Sequence, residues 1–142
     1  MRVSSKADYG VRALFDLALH FGQGPIQSRD IAARQEISEA YLHQVLSALG
    51  RAGLVKSTRG PLGGHELVRE PAEISLWDVI LTLDGFDPRA HPHAAGVDRG
   101  SDPVHDVWHE LQERSIEFLT SITLETLVER KRAGAPVVNY SI

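Results

Sequence analysis

The chain has no cysteine among its 142 residues. Disulfides, thiolate metal sites and iron–sulfur clusters held by cysteine are excluded on that ground. No apolar run approaches the roughly 20 residues of a membrane span, and the opening MRVSSKADYG lacks the apolar stretch of a secretory signal. A cytoplasmic protein without a membrane partner is expected. A Gly-rich phosphate loop, a nucleophile elbow and an HExxH pair are also missing, so the common signatures of catalysis are absent and no enzyme is expected. Excess positive charge is lacking too, the formal net charge being −4. That total hides an asymmetry. Residues 1–70 carry nine Lys/Arg against seven Asp/Glu, and residues 71–142 carry six against twelve. The first half is basic and the second acidic, and phosphate contacts require only a local patch.

What is present begins with helical periodicity. Ala7, Val11, Leu14, Phe15, Ala18 and Leu19 recur at three- and four-residue spacing, predicting an apolar helical face over about residues 6–21. Gly and Pro in GQGP stop it. Ser28 is the expected N-cap of a short helix to about Gln35, and Ser38 that of a second helix to about Ala52, closed by Gly53. In the second helix, Leu42, Val45, Leu46 and Leu49 form the anchoring face. The opposite face carries Ala40, His43, Gln44, Ser47 and Arg51, with Tyr41 at the edge of both. LVKSTRGPLGGHELVR then reads as a hairpin whose tip holds Arg59 and Gly60, beside Lys56 and Thr58.

Helix, tight turn, helix and basic hairpin in this order define a winged helix-turn-helix, which sets one helix in the DNA major groove. Amide, imidazole, methyl and guanidinium groups on the exposed face suit base edges and phosphates. Arg59 on the hairpin tip suits a narrow minor groove. Taken separately, a polar helix face is a solvated surface and a Gly-rich tip is only a turn. Their combination is far more specific.

The remainder is predicted as a helix over EISLWDVILTLDG, an aperiodic loop from Asp87 to Ser101, and a helix of about 19 residues opened by Asp102 as N-cap and Pro103. Its apolar stripe, Val104, Val107, Trp108, Leu111, Phe118, Leu119 and Ile122, requires a partner surface, supplied by a second copy or by the first helix. Thr123 is expected to cap a last helix through about Arg130. The predicted fold is mainly α, with a DNA-binding unit at 1–85 and a sensor-like loop with dimerisation helices at 86–142.

The chain resembles the winged-helix repressors that include the iron–sulfur cluster regulator, the nitric-oxide-sensing repressor and the cysteine-metabolism repressor (the Rrf-two family). MRVSSKADYGVRALFDLAL, IAARQEISEAYLHQVLSALGRAGLVKSTRGPLGG, ISLWDVI, PVHDVW and SITLETLV carry the resemblance over nearly the whole length. It implies a homodimer in which long helices cross, so that two winged helices face a palindromic operator. It also implies roles at matching positions: Ser38, Tyr41, His43 and Gln44 on the recognition helix, Arg59 and Gly60 in the wing, and Ser4, Ser5 and Lys6 at phosphates. Ser28 and Arg51 complete the candidate DNA-contacting set.

Two departures from the family stand out. The loop that holds three cysteines in its best-known members has none here, and Asp102 stands where the third would fall. The ligand roles that the resemblance would give Asp8 and His105 lapse with the thiolates. Four of the seven histidines, His91, His93, His105 and His109, lie in and after this loop, His105 and His109 spaced i, i+4. They are candidate ligands of a divalent metal, a pH-sensing cluster, or solvated loop residues. The second departure is His43, where the family often carries Glu; a neutral His addresses purine N7 rather than cytosine N4. The leading expectation is a homodimeric, sequence-specific transcriptional regulator, a repressor, with an unidentified effector. The alternative is a protein-interaction module acting through a partner, with weak DNA binding.

Overall fold

The computed structural model describes residues 3–85 and 102–134. Their order is α1 (Ser5–Leu19), α2 (Ser28–Gln35), α3 (Glu39–Arg51), β1 (Val55–Thr58), β2 (Gly64–Leu67), a 3-10 turn (Pro71–Glu73), α4 (Leu76–Asp84), α5 (Pro103–Ser121) and α6 (Leu124–Gly134). The helices enclose one core, and β1 and β2 pair antiparallel from Val55↔Leu67 to Thr58↔Gly64 to form the wing. The predicted mainly α winged helix-turn-helix is the fold observed.

Local chemistry explains most helix ends. The Ser38 hydroxyl accepts from the Tyr41 N–H at 3.2 Å, and the Asp102 carboxylate accepts from the N–H groups of Val104 and His105. Thr123 Oγ1 accepts from the Thr126 N–H at 3.1 Å. Ser75 and Asp78 form a reciprocal capping box at the start of α4. Ser28 is a correction: the N-cap of α2 is Gln27, with no side-chain cap bond, and Ser28 is the first helical residue. Its hydroxyl lies 3.4 Å from Glu39 Oε1 instead.

The core gathers Leu14, Ile31, Leu42, Leu49, Ile74 and Leu124, all fully buried. The last of these matters for the predicted division at residue 85. Leu124 and Val128 of α6 belong to the same cluster as α1 and α3, so that division does not separate two cores. The reason is a backbone link. After α5 the chain becomes extended at Ile122, Leu76 N–H donates to the Ile122 carbonyl at 2.8 Å, and Leu124 N–H donates to the Ile74 carbonyl at 3.0 Å. Ile122 therefore enters the chain's own interior and leaves the predicted dimerisation stripe.

One ionic contact sits inside this apolar frame. Asp16 of α1 is fully buried and receives Arg34 Nε at 2.9 Å, Arg34 Nη2 at 2.8 Å and Gln35 Nε2 at 3.2 Å. This bidentate clasp fastens the end of α2 to the last turn of α1. The hydrogen bond to Asp16 raises the Arg34 pKa, outweighing the opposing effect of desolvation. Among the described residues no helix is long and apolar enough to cross a membrane.

Candidate nucleic-acid interface

The turn between α2 and α3 is built from three residues. Glu36 adopts a left-handed conformation (φ 55°) and closes α2, Ile37 is buried, and Ser38 caps α3. This geometry directs α3 across α2 while Leu42, Val45, Leu46 and Leu49 hold it to the core, as their spacing predicts. Ala40, His43, Gln44, Ser47 and Arg51 are all exposed on its outer side. Arg51 donates to Ser47 Oγ at 2.9 Å, so the two act as one polar unit. Tyr41 is half-buried, its ring edge-on to Tyr9 at 5.3 Å; this contact positions the phenol at the margin of the face.

His43 is set between two elements. Its Nε2 lies 3.5 Å from Ser28 Oγ on α2 and 3.7 Å from Glu39 Oε1 on its own helix. Ser28 is therefore a neighbour of His43. At the N-terminus of α1, Ser5 and Lys6 are exposed. Ser4 is differently engaged: its hydroxyl accepts from the Ala7 N–H at 3.0 Å and donates to Asp84 Oδ1 at 2.6 Å. Its hydroxyl proton goes to Asp84, fastening α1 to α4.

The wing is held beside its tip by a connection that periodicity did not reveal. Ile26 and His65 exchange backbone hydrogen bonds of 2.9 and 2.8 Å, so the segment before α2 serves as a third strand of one bridge. Gly64 sits at this crossing with φ 151°, its α-carbon so close to the Ile26 backbone that a Cβ would overlap it. Gly63 is equally constrained by the Thr58 carbonyl. Gly63 N–H donates to the Gly60 carbonyl at 2.9 Å and Gln27 Nε2 donates to the Pro61 carbonyl at 3.3 Å. Arg59 and Gly60 are exposed on the resulting tip.

His65, absent from the predicted set, accompanies the wing. Its Nδ1 is 2.8 Å from Ser57 Oγ, and its pKa is lowered from 6.5, first by burial and then by the charge of His43. The unfolded chain thus binds this proton more readily than the folded one. The associated stability is complete above about pH 6.5 and declines as pH falls through the lower folded value. Urea melts at pH about 7.5 and 5.5 are expected to show a smaller acid loss in His65→Gln than in the unmodified chain. An equal loss in both would remove His65 as a source.

Of the candidate metal ligands, His91 and His93 lie outside the described residues. The rings of His105 and His109 stack at 6.4 Å, and His109 Nε2 pairs with Glu113 Oε1 at 3.0 Å. Among the described residues no group of three or more metal-binding side chains converges. On α5, Val104, Val107, Trp108, Leu111 and Phe118 are 48–57% exposed and Leu119 is half-buried. Five large apolar side chains on one exposed helix exceed what an isolated soluble surface normally carries.

A polar helix held outward by its own leucines, beside a rigid basic wing, defines a winged-helix DNA-binding protein. Comparison with known proteins agrees. The Rrf2 profile, described as an iron-dependent transcriptional regulator, matches residues 3–130. The HTH-type transcriptional regulator IscR of Photorhabdus laumondii is 40% identical over 133 residues, covering 92% of this chain and 81% of that one. Among solved structures, T. potens IscR superposes with a TM-score of 0.81 at 38% identity, covering 99% of this chain and 95% of its own. CymR, the global cysteine regulator of B. subtilis, superposes with a TM-score of 0.80 at 36% identity, covering 92% and 98%. The chain belongs to the Rrf2 family of transcriptional regulators.

Proposed function

We propose that this protein is a cytoplasmic, homodimeric repressor that binds a palindromic operator with α3 in the major groove and the wing in the flanking minor groove. The observation that carries the reading is the joint exposure of His43, Gln44 and Arg51 on α3 and of Arg59 on the constrained wing tip. Ser38, Ser5 and Lys6 supply hydrogen bonds or charge to the phosphates around them, and Tyr41 borders the contact. The exposed stripe of α5 joins the two copies. A cluster ligated by thiolates does not fit, because the chain offers no cysteine; the signal is received by other chemistry. The role is regulatory rather than enzymatic.

The test is selection of binding sites from random duplex DNA, followed by titration over a range of salt. A palindromic consensus, a stoichiometry of two chains per site, and affinity falling steeply with salt are the expected results. Loss of all binding to competitor DNA would instead favour a protein-interaction module. Within the selected operator, Arg59→Ala is expected to weaken binding by about 1–3 kcal/mol. Fluorescence anisotropy showing unchanged affinity would exclude the wing from the contact.

A further inference from the structure

The wing tip carries a residue that the DNA-contacting set does not use. Leu62 is 91% exposed, the most exposed of the large apolar side chains in the described chain. Isolated surface leucines are common, but this one stands on a turn held by hydrogen bonds. It lies between Pro61 and Gly63, and the Gly63–Gly60 and Gln27–Pro61 hydrogen bonds fix the turn that presents it. Both Gly63 and Gly64 lie close against backbone, where no side chain would fit. Lys56, Ser57, Thr58 and Arg59 leading to it are polar and exposed. The result is an aliphatic point on a cationic, otherwise hydrophilic projection.

Among the described residues nothing covers Leu62, and the surrounding charge favours a polyanionic partner. An apolar side chain carried into a minor groove by a cationic arm can enter between base pairs, unstack them partly and kink the duplex. We infer that Leu62 is a minor-groove wedge: with the wing docked, Arg59 holds the groove electrostatically and Leu62 presses into a base step beside it. The inference rests on the DNA-binding reading above. It adds a specificity element that reads deformability rather than base edges. Pyrimidine–purine steps unstack most easily, so the flank under the wing should favour TA or CA/TG.

The experiment uses the full-length protein and fluorophore-labelled operator duplexes obtained by the selection above, with end-to-end energy transfer reporting bend. Duplexes differ only at the flanking step, TA against GC. The unmodified protein is expected to bend the TA duplex and to prefer it by about tenfold over GC. Leu62→Gly should reduce both the bend and the preference to near nothing, and Leu62→Met should restore most of each. Because Leu62 is solvent-exposed, the melting temperatures of the three proteins should agree, which separates wedge loss from misfolding. Tight binding with a straight duplex, or Leu62→Gly behaving as the unmodified protein, would overturn the wedge while leaving the regulator reading intact. Absence of any saturable duplex binding would overturn both.

Discussion

Leu111→Asp is expected to yield a folded monomer that binds the operator about a hundredfold more weakly, or about 2.7 kcal/mol. Within one chain Leu111 is 48% exposed, so a carboxylate there meets water and leaves the core undisturbed. In the proposed dimer the same position would lie in the seam. Val104, Val107, Leu111 and Phe118 follow the three-, four- and seven-residue spacing of a helix–helix contact, with Trp108 alongside. Two buried carboxylates facing each other across that seam would oppose association through desolvation and like charge. Each copy would then hold only one half-site, and the binding energy of the second is lost. Analytical ultracentrifugation gives the association state and anisotropy gives the affinity. A variant that stays dimeric at micromolar concentration with full affinity would show that α5 is not the seam. Trp108→Ala belongs to the same test: its effect should register in dimer dissociation rather than in the stability of one chain, since Trp108 is half-exposed there.

Arg34→Met is expected to destabilise the fold by about 3 kcal/mol, the low end of the range for breaking a buried pair by removing one partner. The low end applies because the Arg34 side chain is 42% exposed, so part of the clasp is already screened by water. What makes the loss large is Asp16, which is fully buried and, among the described residues, would keep Gln35 Nε2 and the more distant His20 Nδ1, 3.7 Å away. The double variant Asp16→Leu with Arg34→Met should recover much of the loss, because neither an unpaired carboxylate nor its partner remains. Chemical denaturation of the three proteins decides it. Equal stability of Arg34→Met and the unmodified chain would show that the clasp contributes nothing.

The elements that sequence reading recovered are those whose information is local. The α3 faces follow from a four-residue apolar pattern, and the wing from a Gly- and Pro-rich tip between short alternating runs. Asp102, Thr123 and Ser38 behave as caps because a short polar side chain before a helix has few better options. What escaped depends on partners distant along the chain. Asp16 stands among apolar residues on α1, which is a warning of a buried carboxylate, but its cation lies 18 residues away across a turn. The Ile26–His65 bridge joins β2 to a single residue with no strand pattern around it. Ile122 continues the α5 stripe in spacing, and only its pairing with the start of α4 reveals that the helix has ended. Ser28 shows the opposite failure: a good capping residue sits one position too late, and its hydroxyl turns to Glu39 and His43 instead.

The closure of the core by α6 has a consequence for how the molecule is made. Residues 3–85 contain every candidate DNA-contacting group, yet α6, one of the helices that pack on α1, begins only at Leu124. At the usual pace of synthesis, about 5–20 residues per second, α1 waits on the order of 5–20 seconds for the residues that bury its outer side. Until then an apolar surface stands open on the ribosome. A nascent chain stalled in α5 would carry a complete reading head that lacks its final cover, and would be a substrate for chaperones before it could be a ligand for DNA.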